Sequence, residues 1–337
     1  MRIKRYIVLP LLLILLIISQ TGCSSTPQPV ERENYFLDTT CKISIYDTNE
    51  GSDDAEDIIS EAWKLCSTLD KTLSKTVEVS DVSKINSAGG EWVEVSDYTI
   101  EVLKKGIYYS ELSGGIFDVT IGTVTALWDF HTDSPSLPDQ SKLDEALRHV
   151  DYTCVQIDDN KVRLTDPAAQ LDLGGIAKGY IADKITEFLE SKGVNSGIVN
   201  LGGNVVAIGS KTKTDGFTVG IEKPYTDRTE LIGSVEAVDQ TVVTSGVYER
   251  QFELNGKEYH HILSTSNGYP VETDLDSITL IADKGLSVDI DAMSTICLIL
   301  GSKAGKEFIE KQDGIKAVFC KSNGKIVTTK NSGFEKE

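Results

Sequence analysis

Between Thr153 and Thr329 the hydrophobic pattern settles into short strand-like runs that rarely give way to a helix. Such runs fall at Cys154 to Asp158, Lys161 to Thr165, Gly197 to Asn200, Val205 to Ile208, Phe217 to Ile221 and Leu231 to Val238. Thr241 to Ser245, Ile278 to Ala282, Lys316 to Cys320 and Ile326 to Thr329 complete the set. Helical spacing interrupts only at Ile176 to Ser191, Ala292 to Leu300 and Lys303 to Lys311. A doubly wound parallel sheet needs a helix after nearly every strand, so this order disfavours it and predicts an α+β fold, mainly antiparallel sheets with flanking helices. Upstream, Cys41 to Asp47 alternates as a half-buried strand. Asp53 to Leu73 carries Ile58, Ile59, Ala62, Leu65, Cys66 and Leu69 at helical spacing, and Tyr98 to Leu112 does so with Ile100, Leu103, Ile107 and Tyr108. The stretch SDVSKINSAGGEW between those helices reads as a loop with a short turn.

The amino terminus bears on compartment. Arg2, Lys4 and Arg5 precede an apolar run from Ile7 to Ile18, broken only by Pro10. A bilayer span needs ~20 apolar residues, so this shorter run fits the h-region of a secretory signal. It ends in Ser19-Gln20-Thr21-Gly22-Cys23, which resembles a bacterial lipobox. The expectation is a lipoprotein signal peptide over 1–22, a lipid on Cys23, a tether over 23–33, and a protein anchored at the extracytoplasmic face of the cell membrane. A net charge of −19 argues against nucleic acid as a partner, because a polyanion needs positive surface. Without Cys23, five widely spaced cysteines remain and no CxxC pair, so buried free thiols are expected rather than a disulfide framework or a zinc site.

Four stretches could carry chemistry. In LDLGGIAKGYIADK, Gly174-Gly175 lets backbone approach a ligand, the helix that follows offers N–H groups to an anion, and Lys178 adds a charge. The same glycines fit a strand-to-helix turn that packs closely, and Asp172 is an odd neighbour for phosphate. NLGGNVVAIGSKT fails the P-loop pattern, since Asn204 stands where the first glycine is required, and reads as a glycine hairpin. In YHHIL, His260 and His261 point to opposite sides of a strand, so one of them at most faces a site; a histidine is suited to accept a hydroxyl proton near neutral pH. In SVDIDAMSTICLILG, a helix beginning near Asp291 would stack Asp291 on Thr295, with Ser294 on an adjoining face. These hard oxygens suit Mg²⁺ rather than zinc, and they suit helix capping as well.

Taken in order, FLDTTCKISIY, SDVSKIN, GGIFDVTIGTVTALW, LDLGGIAKGYIAD, NLGGNV, TSGVYERQF, YHHIL followed by NGYPV, and DAMSTICLILG resemble the ApbE family of FAD:protein FMN transferases. The resemblance covers nearly the whole chain after the tether. It implies a single ApbE-like (T-fold-like) catalytic domain over 34–330 with FAD as substrate. The reaction implied is Mg²⁺-dependent transfer of FMN to a Ser or Thr hydroxyl of an extracytoplasmic acceptor flavoprotein, with AMP released. It implies Mg²⁺ held by the side chains of Asp291 and Thr295, with Ser294 close by and a carbonyl from Gly175. It places FAD contacts on Ile116, Phe117, Asp118, Asp172 and Lys178, more loosely on Leu37, Thr76 and Leu263, and makes His261 the base, with Lys178 beside the transferred phosphoryl group. A Mg²⁺-dependent FAD pyrophosphatase, with water as acceptor, would need the same residues, and a non-catalytic flavin-binding lipoprotein is the third reading. Two stretches depart from the family pattern: Ser264-Thr265-Ser266-Asn267-Gly268 replaces Asp-Pro-Arg-Thr-Gly, and Leu37-Asp38-Thr39 replaces Met-Gly-Thr.

Overall fold

The computed structural model describes residues 28–49, 52–130, 132, 134–226 and 230–337. The signal segment, Cys23 and the tether as far as residue 27 lie outside the described residues. Strands β1 (Val30–Phe36) and β2 (Thr39–Thr48) form a hairpin, followed by helices α1 (Ser52–Leu73) and α2 (Asp81–Ser87). Next come β3 (Val93–Glu94), α3 (Asp97–Leu112), α4 (Gly122–Thr125), α5 (Gln140–Leu147), β4 (Val155–Asp158) and β5 (Lys161–Leu164). Helix α6 (Ala177–Ser191) leads into β6 (Val194–Leu201), β7 (Asn204–Ile208), β8 (Phe217–Glu222), β9 (Leu231–Ala237) and β10 (Gln240–Gly246). The chain closes with β11 (Gln251–Leu254), β12 (Lys257–His260), β13 (Leu275–Asp283), α7 (Ser287–Ile309), β14 (Lys316–Lys321), β15 (Ile326–Thr328) and β16 (Phe334–Lys336).

Eight strands form one antiparallel sheet in the order β1-β2-β6-β7-β10-β13-β14-β15, and β16-β9-β8 forms a second, smaller sheet. The central strands are apolar on both sides, as a doubly covered sheet requires. Val243, Ile278, Leu280, Ala282, Ala317 and Phe319 join a core shared with α1, α6 and α7. Their alternates Val242, Ile281 and Val318 pack with Phe217, Val219, Ile221 and Val235 of the small sheet. Period-2 alternation thus serves two cores from the same strands, one on each face.

Several boundaries differ from the sequence reading. Val30 to Glu33, read as tether, pair with Ile45 to Lys42 as strand β1. Past residue 330, Phe334 to Lys336 pair with β9, so the folded unit outruns the expected 34–330 at both ends. The SDVSKIN stretch is a helix, not a loop: Ser80 caps it by accepting from the Ser83 N–H, and Asp81, Val82 and Ile85 are buried. On α3 the buried aromatic is Tyr109 and its neighbour Tyr108 is exposed, one position off the expected stripe. The two helices expected near the end do form, meeting at Gly301, whose φ of 74° ends the first. Helix α7 starts at Ser287 rather than near Asp291. Gly202 (φ 62°) and Gly203 (φ 96°) make the β6–β7 turn, a glycine hairpin as expected. All five described cysteines are free and buried, and burial raises each thiol, so none is primed as a nucleophile.

Candidate active site

Helices α6 and α7 cross at Gly179. A Cβ there would stand 2.2 Å from the Ser287 carbonyl oxygen and 2.7 Å from Asp291 Cβ, so only glycine permits the approach. The crossing lets the Gly179 N–H donate to Asp291 Oδ2 at 2.8 Å. The Ala177 N–H already donates to the Leu173 carbonyl. The start of α6 is therefore largely taken up by the protein itself, and the group it holds directly is a carboxylate, not the phosphate that its glycines suggest.

Asp291 is 3% exposed. Burial raises its pKa, against the Lys178 charge and the Gly179 N–H, which favour the ionised form. Among the described residues Thr295 Oγ1 makes no hydrogen bond, and Thr295 and Asp291 line the same cavity. Gly175 sits against Thr295: a Cβ added to it would lie 3.5 Å from Thr295 Oγ1 and 2.9 Å from a Phe117 ring carbon. The side-chain amide of Asn204, fully buried, has no partner of regular geometry but lies close enough to the Asp291 carboxylate to favour its charged form. A buried carboxylate, an unpaired hydroxyl and a nearby backbone carbonyl form a donor set that fits a hard divalent cation. Ser294 corrects the expected set. Its side chain does not line the cavity, is fully buried, and donates to the Asp291 carbonyl at 2.7 Å, so its hydroxyl is not a cavity group.

The cavity measures about 660 Å³, within the ~300–1,000 Å³ of small-molecule sites. The other predicted residues, Leu37, Thr76, Ile116, Phe117, Asp118, Asp172, Lys178, His261 and Leu263, all line it. Asp118 does so with its carboxylate turned inward: Oδ1 accepts from the Thr120 N–H and hydroxyl, and Oδ2 from the Tyr152 N–H.

Asp172 has partners that sequence reading missed. Its Oδ2 accepts from Lys75 Nζ and Thr125 Oγ1, each at 2.7 Å, and its Oδ1 accepts from the Gly174 N–H at 2.9 Å. Burial alone would raise the carboxyl; the Lys75 charge and these hydrogen bonds outweigh it and hold the pKa below the usual range. Lys75 gave no signal beyond its place next to Thr76. Lys178 Nζ lies 3.7 Å from Glu249, a second carboxylate on the cavity wall.

Of the histidine pair, His261 faces the cavity and His260 does not line it. His261 Nδ1 lies 3.2 Å from the Arg250 carbonyl oxygen, which can only accept, so Nδ1 carries the proton and Nε2 is left with a lone pair. Burial, then the charge of Arg250, lowers its pKa to about 3 and keeps the ring neutral. The departing loop is tied in locally: Thr265 Oγ1 donates to the Gly115 carbonyl at 2.9 Å, and Trp128 Nε1 donates to that of Gly268 at 2.9 Å. Leu37 and Asp38, at the β1–β2 turn over the cavity rim, both adopt φ 57°.

The ApbE family model matches residues 37–319. A FAD:protein FMN transferase of Treponema pallidum (strain Nichols) is 30% identical over 318 residues, covering 90% of this chain and 87% of that protein. One of Klebsiella pneumoniae (strain 342) is 34% identical over 275 residues, covering 81% and 84%. The crystal structure of the ApbE protein from Thermotoga maritima MSB8 superposes with a TM-score of 0.82 at 31% identity, covering 90% of this chain and 97% of that one. The apo Pseudomonas stutzeri flavinyl transferase ApbE gives a TM-score of 0.78 at 28% identity, covering 90% and 94%.

Proposed function

The chain belongs to the ApbE family, and from that premise we propose that it transfers FMN from FAD to a Ser or Thr hydroxyl of a partner protein, releasing AMP. The observation that carries this reading is the pairing, in one cavity, of a neutral histidine with a free Nε2 and a buried carboxylate beside an unpaired hydroxyl. FAD is the substrate. Asp291, Thr295 and the Gly175 carbonyl are the groups that would hold Mg²⁺, which when bound supplies charge neutralisation to the pyrophosphate oxygens.

His261 Nε2 takes the proton from the acceptor hydroxyl. The freed oxygen forms a bond to the FMN phosphorus as the bond from that phosphorus to the AMP oxygen breaks. Lys178 lies on the wall beside Asp291 and offsets charge on the phosphoryl oxygens. The Arg250 carbonyl fixes the His261 tautomer, so the lone pair that accepts the proton faces the cavity rather than the wall. An anionic diphosphate near Lys178 and Arg250 would also offset the positive field that depresses His261, making it a better base once substrate is bound. We place this chemistry at the extracytoplasmic face, with Cys23 as the lipid anchor, because the amino-terminal residues have the lipobox pattern.

The test is incubation with FAD, Mg²⁺ and a candidate acceptor protein. Transfer gives a fluorescent acceptor band on a denaturing gel; free FMN and AMP without labelled acceptor would mean hydrolysis, and unchanged FAD would mean binding alone. Asp291→Ala should abolish the metal-dependent reaction. His261→Gln should slow it by about 10²–10⁴-fold, the usual share of a general base, with FAD affinity little altered. A full rate in either variant overturns that residue's assignment.

A further inference from the structure

Strand β10 turns Thr241, Val243 and Ser245 to the same side, and two of these meet α7. Thr241 Oγ1 lies 2.8 Å from Ser287 Oγ at the helix start, and Ser245 Oγ lies 2.7 Å from Ser294 Oγ further along. The second contact has a determinable direction. Ser294 Oγ also stands 2.7 Å from the Asp291 carbonyl oxygen, which can only accept. A hydroxyl has one proton, and that of Ser294 points to the carbonyl. The hydrogen bond between the two serines must then be donated by Ser245.

Ser294 is fully buried, so no water can supply an alternative partner. Ser245 lines the cavity together with Asp291 and Thr295. With its proton committed to α7, Ser245 Oγ presents only lone pairs to the cavity, and no other described group hydrogen-bonds to it. Its neighbour Asp291 likewise offers an accepting oxygen. A wall of acceptors is unfavourable for a phosphate oxygen and favourable for a cation.

We propose that Ser245 is a further oxygen ligand of the divalent cation seated by Asp291 and Thr295, and that Ser294 is a positioning residue that aims it. The inference rests on the divalent-cation reading given above. It also explains the fully buried Ser294, whose hydroxyl orients a ligand without being one.

Mn²⁺ titrated into the purified full chain without FAD, with free Mn²⁺ read by electron paramagnetic resonance, separates the two ideas. Ser245→Ala should weaken Mn²⁺ binding by about tenfold or more, as loss of even an outer contact to a metal site commonly does. Ser294→Ala keeps the Ser245 oxygen and should weaken it less. Ser245→Cys should lose Mn²⁺ affinity and gain Cd²⁺, because a sulfur ligand favours the softer ion. The gain would appear as thiolate-to-cadmium ultraviolet absorption that the wild type, with its buried thiols, lacks. Wild-type Mn²⁺ affinity in Ser245→Ala, or no Cd²⁺ gain in Ser245→Cys, overturns the ligand role and leaves the Asp291 reading intact. A wild type that binds Mn²⁺ no better than Asp291→Ala removes the cation reading, and this inference with it.

Discussion

Protonating His261 would create a charge where water is largely excluded, beside the Arg250 guanidinium, and its pKa accordingly lies at about 3 against ~6.5 in an unfolded chain. Between those values the unfolded state binds a proton that the folded state refuses, so this group lowers stability as pH falls through that window. The unfolding midpoint of the wild type should therefore drop more steeply than that of His261→Gln on acidification from about pH 7 to about pH 4. Parallel curves from scanning calorimetry would place the imidazole in a water-exposed site instead. Asp172 is the opposite case, a carboxylate held in its charged form by Lys75. Removing one partner of a fully buried pair costs about 3–5 kcal/mol. The Lys75 side chain is 31% exposed and that of Asp172 16%, so Lys75→Met should cost less, about 2 kcal/mol. The double change Lys75→Met/Asp172→Asn should recover part of that loss in denaturant melts. Additive losses would mean that the two groups do not interact.

Crossing helices impose a different constraint, because the α6–α7 contact fixes where Asp291 stands. In Gly179→Ala the new methyl meets backbone atoms of α7 that cannot swing aside. Overpacking of this kind costs about 1–3 kcal/mol, against ~1 kcal/mol of helix propensity regained. The variant should be less stable and should bind Mn²⁺ more weakly; a melting curve unchanged from wild type would contradict the tight crossing. Helix α7 lacks a side-chain cap of its own, and Asp183 of α6 accepts from the Ser287 and Val288 N–H groups instead. None of this could be read from one segment. Asp291 over Thr295 was legible because i and i+4 share a helix face. Lys75 and Ser245 were not, since the partner of each comes from a distant element. Strand β1 was hidden for another reason: VERENYF has charges where an inner strand has apolar residues, as suits an exposed sheet edge. Helix α2 is only seven residues long, too short for its spacing to declare itself.

At the scale of the molecule, the acidic surface and the amino-terminal pattern bear on where the enzyme works. Cys23→Ser should move the protein from the detergent phase to the aqueous phase in a detergent-partition assay. Retention in the detergent phase would refute lipid anchoring through that residue. Strand β1 leaves the tether at Val30 and ends at the Leu37–Asp38 turn on the cavity rim. Its seven residues span about 23 Å at ~3.3 Å per residue. The seven steps of chain from Cys23 to Val30 reach at most about 25 Å more. If Cys23 carries the lipid, as its sequence pattern suggests, the tether and β1 together set an upper limit on how far the cavity mouth can stand from the bilayer. An acceptor held in the same membrane would then have to bring its hydroxyl within that reach, so a partner that carries it much farther from the lipid would go unmodified however well its sequence fits.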